Sequence, residues 1–157
     1  MTSRLVPTRL ASVLAVAAAL AAPPAAAWEV ANIDIVGLRL GMSEAQVVAT
    51  LVHQGYQANR TANAITATTR DGQLRIELST RRGVTEITYV LFNQGAGAPA
   101  KINESVLAQF GNPDQATPPT WCRAVRRDGV CPQDQAMLTF LPSLLTIRLT
   151  AARDPGE

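Results

Sequence analysis

Residues able to do chemistry are few in this chain, so each can be weighed. There is one histidine, His53. A hydrolytic triad built on it would need an acid and a hydroxyl, for which Asp34 and Ser43 are available. No nucleophile-elbow sequence surrounds them, and a histidine in the last turn of a helix is also a natural surface residue, favoured there by the helix dipole. Glu77 and Glu86 fall on the polar sides of what read as neighbouring strands. They could face each other as a glycosidase-like acid pair, or each could pair with an arginine such as Arg75. One His and two Cys exclude the usual zinc sites, and no cofactor signature is present.

The two cysteines, Cys122 and Cys131, enclose eight residues that include the turn signal Asp128-Gly129. This spacing suits a structural disulfide pinning a short loop. A redox-active pair usually sits two residues apart at a helix start. Arginines cluster in the same place: Arg123, Arg126 and Arg127 lie between the cysteines, while Arg81 and Arg82 occupy a second expected turn. Such charges are either solvated loop residues, which need no special explanation, or a surface for an anionic macromolecule. Trp121 beside Cys122 could be an aromatic anchor for a partner or a core residue covering the disulfide. Together, Trp121, Arg123, Arg126, Arg127, Arg81 and Arg82 form the candidate interaction surface.

The elements around these residues follow from pattern. Residues 1–27 contain Arg4 and Arg9, no acid, ten alanines and a thirteen-residue apolar run with one serine, followed by Pro23-Pro24 and Ala25-Ala26-Ala27. That order reads as a secretory signal peptide cleaved after Ala27. The run is short of the ~20 residues that span a bilayer, so no transmembrane segment is expected after cleavage. The expected compartment is periplasmic or secreted, where a disulfide persists. The remaining 130 residues carry 12 basic and 12 acidic side chains. Zero net charge argues against a nucleic-acid binder, which needs a basic face. A chain this long suits one domain, assigned to residues 28–151, with 152–157 as a frayed tail.

Within it, Trp28 to Leu40 reads as a short strand, with Trp28 itself hard to bury. Ser43 and Gln46 make a capping box, with Met42 and Val47 at the staple positions. The helix should present Val47, Val48, Leu51 and Val52 on one face and stop at Gly55. Residues 63–92 alternate apolar and polar in three strands, turning at Asp71-Gly72 and Arg81-Arg82-Gly83. Pro99 opens a second helix, with Ile102, Val106, Leu107 and Phe110 on one face and Gly111 as its stop. Three further strands follow, one at Trp121-Cys122 and a closing hairpin around Pro142-Ser143. The expected fold is α+β: two helices on one face of an antiparallel sheet, arranged as two helix-plus-hairpin halves.

The stretch Leu40-Gly41-Met42-Ser43-x-x-Gln46-Val47-x-x-x-Leu51 resembles the helix start of small exported helix–sheet proteins, and Leu107-x-x-Phe110-Gly111-Asn112-Pro113 looks like the helix exit of the same group. That group comprises the small-protein-A/OmlA type of outer-membrane assembly proteins and the β-lactamase-inhibitor-protein-like fold. The lipoprotein members carry an acylated Cys at the mature start, where this chain has Trp28. The resemblance implies a non-enzymatic fold acting through protein contact. The expected function is therefore an exported interaction module of the cell envelope, with an enzyme inhibitor or a small His53-dependent hydrolase as alternatives.

Overall fold

A computed structural model describes residues 30–92, 95 and 97–153. The expected signal peptide, Trp28 and residues 154–157 lie outside the described residues. The first helix, α1 (Glu44–His53), begins where capping chemistry puts it. Ser43 Oγ accepts from the Gln46 N–H at 3.3 Å, and Gln46 Oε1 accepts from the Ser43 N–H at 2.8 Å. Two backbone donors that a helix start leaves orphaned are thereby satisfied. Strands β1 (Ala58–Arg60), β2 (Ala64–Thr68), β3 (Gly72–Ser79) and β4 (Gly83–Leu91) follow. Helix α2 (Ala98–Phe110) carries Pro99 in its first turn and stops at Gly111, whose φ of +73° is in the left-handed region. Strands β5 (Gln115–Ala116), β6 (Pro119–Cys122), β7 (Met137–Leu141) and β8 (Thr146–Thr150) complete the chain.

All eight strands form one antiparallel sheet in the order β1-β2-β3-β4-β8-β7-β6-β5. Two helices and an antiparallel sheet make an α+β protein. Each half is a helix followed by a four-stranded meander, and the two meanders join through their last strands, β4 and β8. Each meander has one strand more than the sequence suggested, because β1 and β5 are two- or three-residue edge strands.

Register decides which residues share a face, since opposite partners in an antiparallel pair project to the same side. Ile65, Ile76, Ile87, Leu149, Leu138 and Trp121 stand in line across six strands, and all six are fully buried. Each such side chain contributes about 1.5–3 kcal/mol of burial. Val47 and Leu51 of α1 and Val106 of α2 belong to the same core cluster. The alternate row crosses all eight strands and is polar: Asn59, Thr66, Arg75, Thr88, Arg148, Thr139, Thr120 and Gln115. An antiparallel sheet with one dry and one wet face alternates in this way.

Two expectations are corrected. The region before α1 is not a strand: Val30–Asn32 forms a 3₁₀ turn, and Ile35 bridges Leu38 around Val36 and Gly37, both at positive φ. The apolar spacing that suggested a strand is instead met by a tight turn that still buries Ile33, Ile35 and Leu38. On α1 only Val47 and Leu51 are buried, whereas Val48 and Val52 are 36% and 63% exposed. A helix narrower in its contact than the sequence suggested buries positions four apart and leaves their neighbours wet. The closing hairpin forms where expected: β7 and β8 pair antiparallel and turn through a 3₁₀ segment, Pro142–Leu144, with Leu145 in the left-handed region. Among the described residues, no helix is long and apolar enough to cross a membrane.

Candidate interaction surface

One end of the sheet is marked by the register row Ala64, Glu77, Glu86, Thr150, Met137 and Cys122. Beyond this row lie the β1–β2 turn, the β3–β4 tip, the chain leaving β8 and the β6–β7 loop. Arg81 and Arg82 sit in the tip; Arg123, Arg126 and Arg127 sit in the loop. Residues about 40 positions apart in sequence therefore share one end, because β4 pairs with β8 and β8 with β7. A hydrogen bond from Arg82 Nη1 to the Ala152 carbonyl, 2.8 Å, ties the tip to the chain leaving β8. The Arg153 N–H donates to the Gln133 carbonyl at 2.9 Å, tying that chain in turn to the β6–β7 connection.

The loop itself is held at its base. Cys122 and Cys131 form a disulfide and both are buried. The Cys122 N–H donates to Asp114 Oδ2 (2.9 Å) and the Cys131 N–H to Gln115 Oε1 (3.1 Å). Gln135 brackets Ala124, donating to its carbonyl at 2.6 Å and accepting from its N–H at 3.2 Å. At the tip the Arg126 N–H donates to Val130 O, the Gly129 N–H donates to Arg126 O, and Gly129 takes a φ of +76°. A side chain in that conformation would be strained, hence the glycine. The three arginines are exposed, and so are Val125 and Val130. Arg126 approaches Asp128 at 3.7 Å in a solvated pair. Arg81, Arg123 and Arg127 have no ion pair among the described residues.

Trp121 takes the core reading rather than the anchor reading. It is fully buried, donates from Nε1 to the Gly111 carbonyl at 3.2 Å, and its ring lies 6.0 Å from that of Phe110. It supports the loop from beneath and is removed from the contact surface. Asp114, Gln115 and Gln135 support the loop from the side. Their role is not legible in the sequence because their partners lie eight to sixteen residues away, outside any local motif.

The other candidates are not assembled into a catalytic group. Ser43 caps the start of α1 and His53 ends it, so roughly 15 Å of helix separates them at 1.5 Å per residue. Asp34 accepts from the Gly37 N–H and pairs with Arg39 at 3.5 Å. Glu77 and Glu86 are register partners, as the strand pattern allowed. Each is matched by its own arginine: Arg75 at 3.2 Å from Glu77 and Arg148 at 3.5 Å from Glu86. Among the described residues no group of three or more His, Cys, Asp or Glu side chains could hold a metal ion. Comparison with protein-family models, curated proteins and solved structures gave no match.

Proposed function

We propose that this chain is a non-enzymatic binding module, exported to the cell envelope, whose arginine-bearing sheet end takes an acidic surface of another macromolecule. The observation that carries the reading is the convergence of two arginine groups, Arg81-Arg82 and Arg123-Arg126-Arg127, from distant sequence onto one end of the sheet. A loop fixed by a disulfide and by the Asp114, Gln115 and Gln135 hydrogen bonds loses little entropy on binding, which favours affinity. The exposed Val125 and Val130 add apolar contact beside the charge. The disulfide suits an oxidising compartment. The resemblance of residues 40–51 to exported scaffold and inhibitor proteins supports the same view.

Affinity capture from envelope extract tests it, comparing the parent protein with a variant carrying Arg123→Ser, Arg126→Ser and Arg127→Ser. The parent should retain a partner that salt elutes, and the variant should lose it. Equal capture by both would remove the loop from the interface.

A further inference from the structure

A second feature of the same end is a cleft of about 500 Å³ between the start of α1, the β1–β2 turn and the β3–β4 tip. Its lining includes Arg60, Arg81, Arg82, Asn63, Ser79 and Thr80. Three arginines and several neutral donors thus line one polar space with one acid, Glu44, and of the three Arg82 also holds the Ala152 carbonyl. The Glu44 carboxylate sits on Arg60 at 2.9 Å, so the cleft already places an anionic group against a guanidinium. Its walls are fixed by backbone bonds: the Gly41 N–H donates to Val84 O and the Val84 N–H to Met42 O, both at 2.9 Å. Gly83 makes this approach close, since a Cβ there would strike the carbonyl oxygens of Met42 and Gly41. The first N–H groups of α1 add positive potential at the rim.

We propose that this cleft binds a tetrahedral oxyanion, the phosphate or sulfate group of a small ester. Guanidinium forks match such oxygens in pairs, and the volume lies within the range of small-ligand sites, so it admits a sugar-sized group beyond the anion. The inference names the chemistry of one part of the arginine-bearing end described above and rests on that reading only for which end faces the ligand. Its residues, Arg60 and Arg81, are separate from the loop arginines, so each proposal can fail alone.

The test is an amide-resolved NMR titration of the protein with inorganic phosphate, inorganic sulfate, glucose 6-phosphate and glucose 6-sulfate, with sodium chloride at matched ionic strength as control. Saturable shifts are expected at residues 43–45, 60–63 and 79–83. The esters should bind more tightly than the bare ions, and preference between the two esters identifies the source. Arg60→Gln with Arg81→Gln should weaken binding at least tenfold. Glu44→Gln should strengthen it several-fold by removing the competing carboxylate. Arg126→Gln should leave it unchanged. Because Arg60 and Arg81 are exposed, unchanged thermal unfolding of the double variant separates lost binding from lost fold. Shifts that sodium chloride reproduces, or undiminished affinity in the double variant, would overturn the proposal and leave the loop reading untouched.

Discussion

Arg82, in the turn between β3 and β4, donates to the carbonyl of Ala152 seventy residues further on. That bond adds to the β4–β8 pairing and to the Ala151 N–H bond to Thr85 O at the end where the arginines of both halves lie. It also explains why an exposed turn keeps a fixed place relative to the disulfide loop, since the chain leaving β8 continues to Arg153, which is bonded to Gln133 through both its N–H and its guanidinium.

The start of α1 should be the most easily measured local determinant of stability. Ser43→Ala removes the acceptor for the Gln46 N–H and should cost about 0.5–2 kcal/mol. Urea midpoints compare the two; coincident midpoints would show that the capping box contributes nothing.

Trp121→Ala should be severe. The residue is fully buried beside Phe110, and truncating a buried aromatic side chain costs about 3–5 kcal/mol. Were Trp121 a surface anchor, the same change would leave stability near the parent value and show only in binding. Denaturant unfolding distinguishes the two outcomes.

What the sequence made legible was local. Ser43 and Gln46 are three residues apart and satisfy each other, so the helix start could be placed to the residue. The alternation of Leu74, Ile76 and Leu78 against Arg75 and Glu77 is a period-two signal that no helix would use. The edge strands at Ala58–Arg60 and Gln115–Ala116 were invisible because so short a polar stretch becomes a strand only when a neighbour offers its ladder. The strand expected over Trp28 to Leu40 fails for a different reason: its apolar spacing is met by a tight turn in which Val36 takes a φ of +54°, a conformation that only the surrounding packing can impose. The arginine groups were visible as groups. Their meeting was not, because it depends on the β4–β8 pairing, a contact some sixty residues apart in sequence.

Removing the disulfide with Cys122→Ala and Cys131→Ala should cost about 2.5–3 kcal/mol on the chain-entropy estimate for a loop of roughly ten residues. Thermal unfolding in the absence of reductant measures it. The same variant should bind its partner more weakly, because the loop then has to be ordered on contact. A binding constant equal to the parent's would mean that the disulfide holds the fold and not the interface.

Tyr89 gives the protein an alkaline limit. Its hydroxyl is 2.9 Å from the buried Thr69 Oγ1, and burial pushes its pKa above the ordinary 10.0, with Asp71 and Tyr56 acting in the same direction and the Thr69 hydrogen bond opposing them. Above that ordinary value the unfolded chain releases the phenolic proton while the folded chain keeps it. The native state then holds more protons, so stability falls as pH rises past about 10. Tyr89→Phe should flatten this part of the stability–pH curve. At neutral pH it should cost about 0.5–1.5 kcal/mol for the lost hydrogen bond.

If, as proposed, the loop arginines bring an acidic partner onto one end of the sheet, charge should govern the affinity. The most direct measurement is the dissociation constant for the captured partner, for parent and for the Arg123→Ser, Arg126→Ser, Arg127→Ser variant, across a series of salt concentrations. Exposed charges are screened over about 8 Å at physiological ionic strength, so the parent's affinity should fall steadily with salt. The variant should bind at least tenfold more weakly at low salt, with a much flatter dependence, while its unfolding midpoint stays at the parent value. Equal affinity and equal salt dependence in the two proteins would show that the loop arginines take no part in binding.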